Sequence, residues 1–125
     1  MTPTKATMKK ILIAEDDAPM CRALMLKLKS AGYDVKTVAD GVEAIDTLKK
    51  NDFDVLLLDL IMPKKDGFSV LQEMKENKIK TTVLVLTNLG QDEDRKKVES
   101  LGAAGYYVKS DTPLSEIITI IKGHV

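Results

Sequence analysis

Short apolar runs alternate along the chain with segments in which apolar residues recur every three or four positions. Apolar runs of four to eight residues are typical of strands, whereas a spacing of three or four is typical of amphipathic helices. Strands are predicted over residues 11–14, 33–38, 54–60, 83–86 and 106–109. Helices are predicted over residues 18–31, 41–51, 68–77 and 91–101, and from residue 112 towards the end of the chain. This alternation predicts an α/β domain whose parallel sheet is covered by helices on both faces.

Single residues refine the ends and faces of these elements. Gly32 stands where a glycine commonly follows a helix, and the side chain of Asp40 can cap the second helix. Pro113 is predicted in the first turn of the last helix, where a missing N–H is tolerated. Residues 55–58 are all apolar, as expected for a central strand buried on both faces. The apolar positions that repeat at helical spacing in the first two helices are Met20, Leu24, Leu28 and Ala31, and then Val42, Ala44, Ile45 and Leu48, the second set facing inward.

The composition is that of one globular domain, with 125 residues of which 44% are apolar and 30% charged. Nineteen basic and nineteen acidic residues balance each other. The total charge therefore gives no reason to expect direct binding to nucleic acid or to a membrane surface. Cys21 is the only cysteine, which excludes an internal disulfide and a site built from several thiolates.

No apolar run approaches the length of a membrane span, and the opening segment MTPTKATMKK lacks the apolar stretch of a secretion signal. A cytoplasmic location is therefore expected. We also expect a flexible tail over residues 1–8 and one domain over residues 9–125, without a linker to a second domain.

Charged and hydroxyl side chains terminate four of the predicted strands. The first strand ends in Glu15, Asp16 and Asp17, and the later ones end in Asp59, Thr87 and Lys109. Each has an ordinary interpretation, since acids after a strand often form a solvated turn or a helix cap. Asp59 is harder to explain in this way, because an unpaired carboxylate buried after a run of leucines costs several kcal/mol. Ligands of open α/β sheets bind at the carboxyl ends of the strands, so we expect these side chains to converge there.

Clustered carboxylates repel one another, so such a site should hold a proton or bind a cation. Oxygen ligands without cysteine or histidine favour a hard ion, Mg²⁺ or its substitute Mn²⁺. A carboxylate can also attack phosphorus and form an acyl phosphate, with a cation and a lysine neutralising the phosphoryl oxygens.

Four segments, ILIAEDD, LLLDLIMPKKDG, VLVLTN and GYYVK, resemble in this order the response-regulator receiver family of two-component signalling, especially its chemotaxis-regulator-like single-domain members. The resemblance covers residues 9–122. It implies a flavodoxin-like, doubly wound (βα)5 fold with a five-stranded parallel sheet in the order 2-1-3-4-5. It also implies a signalling phosphoacceptor rather than an enzyme, phosphorylated by a histidine kinase or a histidine phosphotransfer protein.

The resemblance assigns roles to individual residues. Asp59 would accept the phosphoryl group, Thr87 would hydrogen-bond to it and Lys109 would form an ion pair with it. Tyr106 would be an aromatic switch that moves inward when Thr87 is drawn to the phosphoryl group, and Pro63 and Gly67 would shape the loop after strand 3. The Mg²⁺ ligands would be Asp16 and Asp59 directly, Glu15 largely through water, and the backbone carbonyl of Ile61.

Two positions depart from the family pattern, and two others bear on the rate of dephosphorylation. Ser110 follows Lys109 where the family often has a proline with a cis bond. A cis bond before a residue other than proline is costly, which favours a trans bond and a differently shaped loop but leaves both forms open, and we expect the lysine still to reach the site. Asn88 stands where the family usually has a small residue and is expected to narrow access. Ile61 and Leu89, flanking the phosphoryl group, offer nothing to direct an attacking water, which predicts slow dephosphorylation.

Ile120 lies roughly 110° from the centre of the inner stripe of the last helix, at about 100° per residue. It is either a partly covered flank residue or a contact in the surface formed by helix 4, strand 5 and helix 5. The family commonly uses that surface for an effector or for a phosphorylation-dependent homodimer.

Other functions compete with this interpretation. A flavodoxin-like cofactor binder is disfavoured by the acids after strand 1, and a dehalogenase-type phosphatase by the lack of room for a cap domain. A receiver-like interaction module that is never phosphorylated stays open.

Overall fold

A computed structural model describes residues 8–125 as five strands, five α-helices and a 3₁₀ turn. The strands are β1 Lys10–Ala14, β2 Asp34–Val38, β3 Val55–Leu58, β4 Thr82–Thr87 and β5 Gly105–Val108. The helices are α1 Ala18–Ser30, α2 Gly41–Lys50, α3 Gly67–Glu76, α4 Asp92–Ser100 and α5 Leu114–Lys122, with the 3₁₀ turn at Lys109–Asp111. All strand pairs are parallel and the sheet order is β2-β1-β3-β4-β5. The predicted fold is thus confirmed.

Two apolar cores lie on opposite faces of the sheet, because successive strand residues point to opposite sides. In β3, Leu56 and Leu58 belong to the core that includes residues of α2 and α3, whereas Val55 and Leu57 belong to the core that includes residues of α1 and α5. All four are buried. This double burial explains why the β3 sequence is apolar throughout.

The helix ends agree largely with the sequence pattern. Gly32 follows the end of α1 with a φ of +99°, and the Asp40 side chain accepts the amide of Glu43 at 2.8 Å as the cap of α2. Pro113 was predicted inside the first turn of α5 but lies one residue earlier, at the N-cap. Its φ of −60° leads directly into the helix.

Several predicted positions were wrong. Val42 is 42% exposed because it lies roughly 120° from the centre of the buried face of α2, at about 100° per residue. Ala31 caps α1 and is exposed, since the chain already leaves the helix there. β3 ends at Leu58, short of the predicted limit at residue 60, and Lys109 lies in the 3₁₀ turn and not in β5.

The predicted tail at residues 1–8 lies outside the described residues except for Met8. Among residues 8–125, no helix has both the length and the apolar character needed to cross a membrane.

Candidate functional site

The parallel register brings two acids together at one edge of the sheet. Glu15 directly follows β1, and its amide donates to the carbonyl of Val38 at 3.1 Å. Asp59 directly follows β3, and its amide donates to the carbonyl of Ala14 at 3.0 Å. These two hydrogen bonds extend the sheet ladders by one residue, so the two carboxylates leave neighbouring strands side by side.

Three acids form a cluster at this edge. One carboxylate oxygen from each of Glu15, Asp16 and Asp59 lies within 4.8 Å of the others. Glu15 and Asp59 are 4% and 5% exposed, whereas Asp16 faces solvent. The third acid of the run, Asp17, has the ordinary role of a helix cap and accepts the amide of Met20 at 3.3 Å. The acidic run after β1 therefore divides between the cluster and the start of α1.

The ammonium group of Lys109 pairs with both buried acids. It lies 2.9 Å from Oδ2 of Asp59 and also pairs with Oε1 of Glu15. The lysine lies in the 3₁₀ turn, where the buried Thr112 hydroxyl donates to the carbonyl of Val108 at 2.8 Å. Sequence reasoning overlooked Thr112, although a threonine just before a proline-led helix is a signal for such a turn. Peptide bonds within residues 8–125 are all trans, including the one after Lys109, which the sequence had left open.

Burial and pairing shift the pKa values of the two buried acids in opposite directions. Burial, followed by hydrogen bonding to Asp59, raises the pKa of Glu15 from 4.5 to about 7. Burial also acts to raise the pKa of Asp59, but hydrogen bonds from Glu15 and Lys109 outweigh it and hold this pKa below its usual value. For Lys109, burial favours the neutral amine, yet the two carboxylates outweigh burial and raise its pKa. The site therefore keeps Asp59 ionised and places any shared proton on Glu15.

The backbone after β3 contacts the central carboxylate. The amide of Ile61 donates to Oδ1 of Asp59 at 3.2 Å, while the Ile61 side chain is 54% exposed. Thr87 is fully buried at the end of β4, the strand next to β3, and its hydroxyl accepts the amide of Leu89 at 3.4 Å. Ile61 and Thr87 therefore lie at the same sheet edge as the acids.

Tyr106 is connected to this edge through the same loop. Its side chain is buried on β5, and its hydroxyl donates to the carbonyl of Leu89, whose amide donates to Thr87. The guanidinium of Arg95 in α4 lies over the tyrosine ring, 5.0 Å from its centroid. The sequence singled out Leu89 for its side chain and not for these backbone contacts, and it gave no sign of Arg95, a charged residue on a polar helix.

The acid cluster fits a hard cation. Its donors are carboxylate oxygens, which Mg²⁺ prefers, and three acids face one lysine. Within the described part of the chain, Oε2 of Glu15 is buried without a hydrogen-bond partner, and buried polar atoms normally have one. A cation, or water held by it, would satisfy this atom. Glu15, Asp16 and Asp59 are therefore the acids that could hold such an ion.

Comparisons with known proteins agree with this geometry. A family model described as the response regulator receiver domain matches residues 11–122. The cell cycle response regulator CtrA of Brucella ovis is 35% identical over 121 residues, which cover 92% of this chain and 52% of that protein. The chain thus spans about half the length of the CtrA proteins that it matches.

Solved structures give the same result over whole domains. The chemotaxis response regulator CheY4 of Vibrio cholerae is 30% identical with a TM-score of 0.85, over 95% of this chain and 100% of that one. The phosphorylated cyanobacterial phytochrome response regulator RcpA is 34% identical with a TM-score of 0.81, over 94% and 91%.

Proposed function

This chain belongs to the response regulator receiver domain family, and on that basis we propose that it is a phosphorylation switch that accepts a phosphoryl group on Asp59. The donor is the phosphohistidine of a histidine kinase or of a histidine phosphotransfer protein. The proposed receiver unit covers residues 9–125. Phosphorylation of RcpA, which is 34% identical, supports the proposal.

The observation that carries the proposal is the contact between Lys109 and Asp59. A lysine ammonium 2.9 Å from a buried, ionised carboxylate, beside two further acids, is a costly arrangement for stability alone. The same arrangement serves phosphoryl transfer, where positioning and charge neutralisation supply most of the catalysis. The buried acids and the lysine are therefore best explained by chemistry on Asp59.

Each residue of the site has a separate role in the proposed phosphoryl transfer. The ionised Asp59 carboxylate forms an oxygen–phosphorus bond as the bond between phosphorus and the donor's imidazole nitrogen breaks. Lys109 pairs with the phosphoryl oxygens, and the Thr87 hydroxyl donates a hydrogen bond to one of them. The Ile61 amide keeps one oxygen of Asp59 in place, so the attacking group is oriented before the donor arrives.

Asp16 and Asp59, with Glu15 through water and the Ile61 carbonyl, are the proposed ligands of Mg²⁺. When bound, this ion supplies positive charge that neutralises the transferring group.

The proposed output surface is formed by α4, β5 and α5, with Tyr106 as its internal switch. In the structure the Ile120 side chain is partly buried against the core that includes residues of α1 and α5, so its remaining surface is free for a partner. That partner is an effector protein or a second, phosphorylated copy of this chain.

Incubation with acetyl phosphate, with or without Mg²⁺, tests the proposal by intact mass. We expect a Mg²⁺-dependent gain of one phosphoryl group in the wild type and none in Asp59→Asn. Asp54→Asn is the matched control, because Asp54 precedes the other end of β3, where its side chain accepts the Lys10 amide at 2.7 Å. A wild type that gains no phosphoryl group would contradict the proposal and favour the alternative, a receiver-like interaction module that is never phosphorylated.

A further inference from the structure

The loop from residue 59 to residue 66, here named the acceptor loop, lies directly against the first turn of α2. A Cβ added at Gly41 would overlap the carbonyl oxygen of Lys65 and would lie 2.7 Å from both the carbonyl carbon and the Cβ of that residue. These are mostly backbone atoms, so no side-chain rotation can relieve the overlap. The acceptor loop can approach α2 this closely only because residue 41 is a glycine.

The other end of the acceptor loop is held by a second close approach. A Cβ added at Gly67 would lie 2.5 Å from the carbonyl oxygen of Asp59 and 2.7 Å from Cα of Leu60. The amide of Gly67 donates to the carbonyl of Leu60 at 2.9 Å. The loop thus closes on its own start, and its position relative to the rest of the domain depends on what it touches in between.

The middle of the loop is a tight turn tied to both neighbouring helices. Lys64 has a φ of +68°, and the amide of Lys65 donates to the carbonyl of Pro63 at 2.7 Å. The Lys64 ammonium lies 3.6 Å from Asp40 at the start of α2, and the Lys65 ammonium lies 2.5 Å from Glu73 in α3. Lys64 is 70% exposed, so its ion pair is screened and weak. The backbone contact at Gly41 is therefore the main constraint on the α2 side.

We propose that Gly41 is a positioning residue for the phosphoacceptor site, acting through the acceptor loop. The contact sets the position of Lys65, and the short chain from there back to Ile61 and Asp59 transmits it. Since the Ile61 amide is bonded to Asp59 and its carbonyl is a proposed Mg²⁺ ligand, a displaced loop moves a ligand and the attacking carboxylate together. This inference rests on the proposed function, because it assigns Gly41 a part in that same site.

The substitution Gly41→Ala separates this role from a simple effect on helix stability. Alanine at a helical position normally stabilises a helix relative to glycine. Here the added methyl must push the Lys65 backbone away by roughly 1 Å, and a misplacement of that size can lower a reaction rate about 100-fold. We expect the Kd for Mg²⁺ to rise at least tenfold, and the rate of phosphorylation by acetyl phosphate to fall at least tenfold.

The measurement is a titration of ¹⁵N-labelled protein with Mg²⁺ alone, followed through the amide resonances of residues 59–65, together with phosphorylation rates by intact mass. Gly123→Ala is the matched control, because its added Cβ would meet only backbone carbonyls of α5, at 3.3 Å from Ile120. The end of α5 also lies at the opposite edge of the sheet from the acids, since the helices run antiparallel to the strands. Asp40→Asn, which keeps a capping side chain and loses the charge pair, should change the Kd less than twofold.

A Mg²⁺ Kd in Gly41→Ala within twofold of the wild type overturns the inference. Should Gly41→Ala fail to fold, Gly41→Ala/Lys65→Gly is compared with Lys65→Gly, since glycine at residue 65 removes one overlap and frees the loop to move. The same tenfold difference in Kd is then expected, and equal affinities refute the inference. A wild type that binds Mg²⁺ but takes no phosphoryl group refutes the proposed function and leaves the Gly41 comparison decisive. A wild type that binds no Mg²⁺ refutes both.

Discussion

Replacing Glu15 with glutamine should stabilise the metal-free domain at alkaline pH and leave it nearly unchanged at acidic pH. Glutamine has the shape of the protonated acid but cannot ionise. In the folded protein burial raises the pKa of Glu15 to about 7, against an ordinary value of 4.5. The ionised form is therefore disfavoured in the folded state relative to the unfolded chain.

The sign of the effect follows from proton binding. Between pH 4.5 and 7 the folded state binds more protons at Glu15 than the unfolded state, so the free energy of unfolding falls as the pH rises. The difference between the pKa values of Glu15 in the folded and unfolded states lowers the free energy of unfolding by about 3 kcal/mol at pH 8, and by less than about 1 kcal/mol at pH 5. The pKa of about 7 already includes the ion pair with Lys109. No separate correction for losing that pair is needed.

Urea unfolding followed by circular dichroism, in the presence of EDTA, measures this difference. We expect Glu15→Gln to exceed the wild type by about 3 kcal/mol at pH 8 and by less than about 1 kcal/mol at pH 5. Glu99→Gln, an exposed acid in α4, is the matched control for changing net charge and should show no such trend. A Glu15→Gln difference that is equal at the two pH values, or that is negative at pH 8, would refute the reasoning.

Two further predictions concern the phosphorylated protein. Ile120→Arg should abolish phosphorylation-dependent self-association or partner binding, measured by light scattering, because it puts a charge where a half-buried apolar side chain faces the partner. Unchanged association would count against the α4–β5–α5 surface. The wild-type phosphoprotein should persist well beyond seconds, since neither the exposed Ile61 nor Leu89 can direct an attacking water. Ile61→Gln should shorten the lifetime severalfold. The lifetime is measured by intact mass over time, and a wild-type lifetime of seconds would contradict this account.

The fold could be predicted because its signals are local. The apolar run of β3 follows from burial on both faces, and Asp40 and Gly32 mark helix ends with side-chain and backbone chemistry that any sequence displays. The convergence of Glu15, Asp59 and Lys109 needed only one further rule, that parallel strands end at a common edge. The strand order 2-1-3-4-5 was predicted only from the family resemblance, and no register was predicted.

The parts that could not be predicted depend on contacts between distant segments. Periodicity placed Val42 inside because it is apolar, although it lies off the buried face of α2. The contact between Gly41 and Lys65 joins the backbone of the first turn of α2 to that of the acceptor loop, and no residue type shows which backbone atoms will touch. Sequence also gave no measure of burial for Glu15, and burial is what raises its pKa.

The same buried charged residues therefore determine both the proposed chemistry and part of the stability of the domain. Removing the charge of Glu15 relieves repulsion and desolvation, whereas removing Lys109 leaves Asp59 and Glu15 unpaired, which costs about 3–5 kcal/mol for a buried pair. A variant of this pocket can thus lose phosphorylation either because a chemical group is missing or because the fold is destabilised. The expected change in the free energy of unfolding has opposite signs for the removal of the Glu15 charge and of Lys109. Comparing phosphorylation with unfolding free energy at the same pH separates them, since a variant that is more stable and yet slower has lost chemistry alone.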